Sequence, residues 1–371
     1  MSEIKNMESN NEESSPPSVS IWELRWRKFK RHRIAFVGFS IVIFLFIIAI
    51  FAGFISPYNY KQIHPIYGGS PPQMIHFIRN GKLVNPFVYD IKRKINPETL
   101  VVNFVINKDK TYPIELLFHG EEYKFLNIFT TDIHLFGVKH GPFFIFGADE
   151  AGRDMFSRIC QGARVSLGVA VFATGLYAIL GSILGVISGY YGGKIDTVIQ
   201  RVVEIFLSFP SLPLWLVLSA SIPADFPPLY LFASVCLILA FTSWPWLCRD
   251  VRAKILAYRE EEYVLAAKSV GAGDFTIMLK HLLPQAASHI LVSITLRIPG
   301  VIIAESALSF LGVGLQPPIV SWGVLLKRAQ NIQVLSDYPW LIIPGFFIIT
   351  TVLALNLLGD GLRDAMDPLS S

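Results

Sequence analysis

The chain has 371 residues, of which 52% are hydrophobic and only 16% charged, where soluble domains carry roughly 25% charge; this excludes an ordinary soluble enzyme and makes a membrane protein the first expectation. The 32 Lys and Arg against 28 Asp and Glu leave a net charge of +4, with no basic and aromatic stripe that could track a nucleic-acid backbone. Cys160, Cys236 and Cys248 are odd in number and the last two share one apolar segment, the wrong pattern for a disulfide framework or a zinc site, so they read as packing residues.

Residues 1–20, rich in Ser, Asn, Glu and Pro, are expected to be a disordered tail. In segment 21–56, Arg25, Arg27, Lys28, Lys30, Arg31 and Arg33 precede the charge-free run 34–55, long enough at about 1.5 Å per residue to cross a hydrocarbon core of about 30 Å. A cleaved secretory signal fits less well, because its apolar region is shorter and Ala49-Ile50-Phe51-Ala52 is a poor cleavage site. Five further spans are predicted at about 165–190, 202–221, 229–248, 288–311 and 338–359, the second of these interrupted by Pro210, Pro213 and Pro223. The expected architecture is therefore an all-α polytopic membrane protein with six transmembrane helices. With the first basic cluster in the cytoplasm, Lys194, Arg201, Arg249, Arg252, Lys254, Arg259, Lys268 and Lys280 fall on the same side, while 223–228 has no Lys or Arg, so both termini are expected to be cytoplasmic. Trp22, Trp26, Trp244 and Trp246 lie near expected span ends.

Between the first two spans, residues 57–147 change to Pro, Gly, Asn, aromatics and mixed charge. Short β-favouring stretches at 100–106, 112–118 and 123–129, with turn signals at Asn107-Lys108-Asp109 and His119-Gly120, predict an extracytoplasmic β-rich insert, either a spacer or a docking surface. The remainder, 148–371, holds the other five spans.

The loop at 249–285 is too polar to cross the membrane and too patterned to be a linker. Tyr263, Ala266, Ala267 and Val270 fall at helical spacing beside Glu260-Glu261-Glu262, Gly271 offers a left-handed stop, and Asp274 is placed to cap a second helix carrying Phe275, Met278, Leu279 and Leu282 before Pro284. The two short helices are expected to lie along the membrane surface, with the alanines open to close approach by a partner.

Here Tyr263-Val264-Leu265-Ala266-Ala267-Lys268-Ser269-Val270-Gly271, continuing to His281-Leu282-Leu283-Pro284, resembles the EAA loop of ABC importer permeases. The resemblance extends over roughly 146–368 and points to the dipeptide/oligopeptide, OppC/DppC-type branch. It also includes Gly147-Ala148-Asp149-Glu150-Ala151-Gly152-Arg153-Asp154, Gly189-Tyr190-Tyr191-Gly192-Gly193, Ala304-Glu305-Ser306-Ala307-Leu308-Ser309-Phe310-Leu311-Gly312 and Asn356-Leu357-Leu358-Gly359-Asp360-Gly361-Leu362-Arg363-Asp364. Ala148 stands where the family usually has threonine, and Leu265 at its EAA glutamate position, leaving that contact to Glu261 or Glu262. The resemblance implies a type I permease fold and a coupling helix at Glu261, Glu262, Tyr263, Ala266, Ala267, Gly271 and Asp274. It also implies a second related permease, two ABC ATPase subunits, an extracytoplasmic substrate-binding protein and a peptide substrate. No catalytic, metal or cofactor site is implied in this chain, because ATP and Mg are used by the partner ATPases.

Gly193-Lys194 lacks the upstream glycine and the following Ser or Thr of a phosphate-binding loop, so no ATP site is encoded. Arg153, Asp154 and Arg158 show no convergent ligands and read as interfacial anchors or gate structure. Arg297 and Glu305 lie inside a span, where a charge near the centre costs about 2.5–3.5 kcal/mol on insertion scales, so both should face protein or water as gate or pathway residues. Eight residues, or about 12 Å along a helix, is too far for them to pair directly. An ion-coupled secondary transporter working without ATPases would also use embedded charges, although no internal repeat is visible.

Overall fold

In a computed structural model, residues 21–79, 81–95, 97, 102–125, 128–223 and 225–366 are described. The expected tail at 1–20 and the start of the expected strand at 100 lie outside them. The chain opens with α1 (Ile21–Arg31) and α2 (Arg33–Ile50). His32 joins them and accepts a hydrogen bond on Nδ1 from the Ala35 amide at 3.1 Å, satisfying one of the open amides of a helix start. The first apolar run is not one helix: α2 stops at Phe51 and α3 (Ala52–Ile55) completes it. Arg164 holds this break, donating from Nε to the Ala49 carbonyl at 2.9 Å and from Nη2 to the Ile50 carbonyl at 2.8 Å.

The segment that follows contains two antiparallel sheets. One orders β1 (His76–Arg79), β2 (Lys82–Ile95) and β3 (Val102–Pro113); the other pairs β4 (Glu115–Phe125) with β5 (Phe129–Gly137). The turn signals mark irregularities inside strands rather than strand ends. On β3 the register jumps between Thr111 and Asn107 opposite Tyr89 and Asp90, and on β4 it shifts between His119 and Tyr123. Residues suited to turns are thus absorbed as bulges, which bend a strand without ending it. At the first bulge the buried Asp90 accepts hydrogen bonds from Asn107 Nδ2 at 3.1 Å and Tyr112 OH at 3.2 Å.

The helical part continues with α4 (Met155–Tyr191), α5 (Gly193–Ser208), α6 (Ser211–Ala220), α7 (Pro228–Tyr258), α8 (Glu262–Ser269), α9 (Asp274–Thr276), α10 (Leu283–Leu311), α11 (Trp322–Leu326), α12 (Ile332–Asp337) and α13 (Ile343–Met366). Among the described residues, five helices are long and apolar enough to cross a membrane, and a sixth span requires α5 and α6 to be counted together. That pair is bent by 86°, because Pro210 at the junction has no amide with which to continue the helix. The third expected span is therefore a broken element. Other ends move outward: α4 begins ten residues before the expected 165, and α7 runs on to Tyr258. Trp244 lies near the middle of the extended α7 and is buried beside Phe206.

The α4 and α7 helices meet along a glycine stripe. A Cβ built on Gly181, Gly185 or Gly189 would lie 2.7 Å from the Cβ of Leu247, Val251 or Ile255 respectively. Small residues every four positions let two backbones approach closely where lipid gives no hydrophobic drive for association. A second core forms around Trp322 of α11, which is fully buried and donates from Nε1 to the Ile159 carbonyl at 3.1 Å. All three cysteines are free and buried.

A tight turn links the β-containing segment to α4. Asp149 accepts the Ala151 and Arg153 amides at 3.0 and 2.9 Å and the Arg153 Nε at 2.7 Å, and it also pairs with Arg158. Gly152 has φ +82°, and a Cβ there would meet the His64 carbonyl at 2.0 Å. Asp154 caps α4 by accepting the Ser157 amide at 2.8 Å and hydroxyl at 2.6 Å.

Burial pushes the Asp154 carboxyl up to about 6, outweighing the hydrogen bonds from Ser157 that favour its charged form. A carboxyl raised in the fold contributes stability that is present below its ordinary value of about 4 and lost as pH rises through about 6. The Asp154→Asn variant keeps an accepting oxygen at the cap and removes this titration. Its unfolding temperature in detergent should lack the decline of a few degrees that the parent protein shows between these two pH values.

Candidate functional site

The loop between α7 and α10 exposes one independent helix, α8. Its end is a Schellman motif: Gly271 N–H donates to the Lys268 carbonyl and Ala272 N–H to the Ala267 carbonyl, both at 3.0 Å, with Gly271 at φ +83°. A side chain with a Cβ is disfavoured at that backbone angle, so glycine fixes where the helix stops. Val264 is the residue α8 buries, in a cluster with Ile255, Ile277 and Leu282. Glu261, Glu262, Tyr263, Leu265 and Ala266 are exposed, and Ala267 is half-buried. The expected apolar row thus faces outward, and Val270 at its end is 85% exposed.

The expected pair of short surface helices is replaced by one short helix and one long one. From Asp274 the chain runs through α9, a π turn at Ile277–Leu282 and α10 as a single 38-residue apolar element. Pro284 lacks an amide, and the wider hydrogen-bond spacing of the π turn carries the helix past it. Asp274 does not act as the predicted cap. Gly273 occupies the cap position, and Asp274 Oδ1 accepts a hydrogen bond from Tyr190 OH at 2.7 Å.

That bond fastens the loop to the end of α4. Lys268 Nζ lies 5.1 Å from the centre of the Tyr190 ring, a second tie from α8 to the same side chain. Nearby, Arg252 of α7 grips Asp196 of α5 with two hydrogen bonds of 2.6 Å, and Arg259 Nη1 donates to the Gly189 carbonyl at 3.2 Å. Tyr190, Asp196 and Arg252 were not singled out by the local pattern. The only signal was the run of aromatics and glycines around Tyr190, which carries no indication of its partner 84 residues away.

The two embedded charges occupy separate sites. Glu305 is fully buried and accepts hydroxyls from Ser309 at 2.8 Å, Ser166 at 3.1 Å and Ser306 at 3.4 Å. Ser166 Oγ in turn accepts the Trp322 amide at 3.2 Å, and Ser309 Oγ the Leu315 amide at 3.0 Å. The carboxylate therefore ties α4, α10 and the start of α11. Arg297 donates from Nη2 to Ser243 Oγ at 2.9 Å, and its buried Nε has no hydrogen-bond partner among the described residues. No group of three or more His, Cys, Asp or Glu residues suited to a metal ion occurs among the described residues.

Residues 181–370 match the family described as binding-protein-dependent transport system inner membrane component, and residues 20–72 match the N-terminal TM domain of oligopeptide transport permease C. The dipeptide transport system permease protein DppC of Bacillus subtilis (strain 168) is 32% identical over 368 residues, covering 98% of this chain and 92% of that protein. The oligopeptide transport system permease protein OppC of the same strain is 30% identical over 358 residues, covering 96% and 92%. Among solved structures, an inward-facing MetNI methionine ABC transporter chain aligns with a TM-score of 0.42 at 16% identity, covering 56% of this chain and 97% of that one.

A hydrogen bond to a charged acceptor contributes about 1.5–3 kcal/mol. Removing it with Tyr190→Phe should raise amide hydrogen exchange in residues 262–272 about tenfold while leaving the middle of α4 unchanged, as read by exchange mass spectrometry.

Proposed function

The chain belongs to the family of binding-protein-dependent transport system inner membrane components, and on that premise we propose that it is the permease subunit of an ATP-driven importer of dipeptides or oligopeptides. The names of the two Bacillus relatives support the substrate class. In this reading the chain pairs with a second related permease, two ABC ATPase subunits and an extracytoplasmic binding protein. ATP and Mg belong to the ATPases. Both termini and α8 lie on the cytoplasmic side, segment 57–147 lies outside, and 148–371 is the permease core with its coupling loop at 249–285.

The observation that carries the reading is the outward face of α8, with Tyr263 and Ala266 exposed and the helix tied to α4 through Tyr190 and Lys268. A small side chain at Ala266 admits close approach of a partner, while Glu261 and Glu262 supply charge at the rim. Closure of the ATPases on ATP would push α8 as a rigid piece, and the ties would pass the displacement to α4 and α10. The spans would then exchange inward-open and outward-open packings, each stabilised by a different ligand state. Gly271 defines the end of the moving piece, and Asp274 the point where the long helix receives it.

Ala266→Glu places an unpaired charge at the centre of that contact. The tagged variant should lose at least about tenfold of the ATPase that co-purifies with the parent chain in mild detergent, together with ATP-dependent peptide uptake. Full retention of both would remove the coupling role of α8. Uptake by the purified chain alone, driven by an ion gradient, would replace the importer reading with a secondary transporter.

A further inference from the structure

Arg297 differs from the other arginines embedded in the bundle. Arg158 pairs with Asp149, Arg252 with Asp196, and Arg164 donates to two carbonyls at the end of α2. Arg297 has no carboxylate partner among the described residues. Its one hydrogen bond goes to the hydroxyl of Ser243, and Nε is left over. It is the central residue of the 29-residue α10, and Ser243 is the central residue of the 31-residue α7. Arg297 also falls near the middle of the apolar run 288–311, which places the contact deep in the membrane, with Tyr177 of α4 within electrostatic reach of the guanidinium.

Next to this site α10 carries no side chain. Gly300, three residues along α10 on the same side, is exposed, and nothing lies within 4 Å of where its Cβ would be. A guanidinium at this depth faces protein or water rather than hydrocarbon. Polar groups continue from it between the same two helices toward the loop that carries α8. Ser293 Oγ lies 3.5 Å from Asp250 Oδ2, and His289 stands one turn further on, within electrostatic reach of Asp250, Lys254 and Arg363.

We propose that Arg297 and Ser243 form a mid-membrane station for the α-carboxylate of a peptide in transit, at the head of a polar track through Ser293, Asp250 and His289. The planar guanidinium has donors to spare and matches a carboxylate with two parallel hydrogen bonds. Ser243 takes Nη2 and Nε is buried, which leaves Nη1 and the second N–H of Nη2 for the solute. Because no carboxylate among the described residues pairs with Arg297, an arriving one does not have to displace an internal ion pair. Gly300 leaves room for the peptide backbone behind its terminus. The inference rests on the importer reading and names the part of the substrate that the permease senses.

The test uses the complete importer in proteoliposomes with ATP, the binding protein being loaded beforehand to equal occupancy with trialanine or with trialanine amide. At saturating loaded binding protein, the rates report the steps after delivery. The amide should cross about tenfold more slowly than the free acid, the loss expected for a missing charge-assisted pair. Arg297→Gln should slow the free acid to the rate of the amide and abolish the difference, whereas Arg297→Lys should keep part of it. Equal rates for the two peptides in the parent importer, a measurement that needs no variant, would overturn the proposal, as would undiminished discrimination in Arg297→Gln. Absence of any ATP-dependent uptake would instead defeat the importer reading itself.

Discussion

The close approach of α4 and α7 is the contact on which the other features depend. Three glycines on α4 face Leu247, Val251 and Ile255 at distances that admit no other side chain without movement of a backbone. The partner atoms include the Cys248 carbonyl, 2.8 Å from a Cβ at Gly185, so the obstruction is main chain and cannot rotate away. Held at this separation, the ends of the two helices bring Tyr190, Arg252 and Arg259 together under the loop. Their middles set Tyr177 beside the Ser243–Arg297 contact. A single larger residue in the stripe would disturb both places.

Hydrocarbon offers polar groups no alternative partners, so each buried charge has to be matched inside the protein. Arg297 aside, the chain does this in three ways. Asp149 and Asp196 are paired with arginines at opposite ends of α4. Glu305 is surrounded by hydroxyls, which donate without adding charge and fasten α11 to α4 and α10. Arg164 spends its donors on carbonyls left open where α2 breaks. Removing one partner of such a buried pair leaves an uncompensated group and is more harmful than replacing both.

The membrane-spanning bundle was legible because runs of about twenty residues without charge have few other uses in a protein. Their limits were less so: α4, α7 and the Asp274 helix all extend past the apolar run into polar sequence, and hydropathy marks the lipid and not the helix. In segment 57–147 the composition indicated strands, but Asn107-Lys108-Asp109 and His119-Gly120 suit a bulge as well as a hairpin, and cross-strand pairing decides between them. Around the candidate site, Gly271 could be placed from local chemistry alone, because a helix end and a left-handed residue are properties of a few neighbouring positions. Asp274 shows the limit of that reasoning. Its suitability as a cap is local, whereas the hydroxyl it accepts comes from a residue 84 positions earlier.

The unbroken course of the chain from the π turn through α10 has a mechanical consequence. Leu283, Arg297 and Glu305 lie on one helix, in which Pro299 leaves one backbone hydrogen bond unmade, and Glu305 is fastened to α4 through Ser166. By the rise of an α-helix, Leu283 is about 33 Å from Glu305 and Arg297 about 12 Å. For a tilt about that anchor, a travel of about 3 Å at the surface becomes about 1 Å at mid-membrane, with force multiplied in the same proportion. Such a step is enough to make or break the 2.9 Å bond between Arg297 and Ser243, since hydrogen bonds fail over that range. In such a tilt the helix would act as a reduction gear, turning a coarse movement at the loop into a fine one among the embedded polar groups.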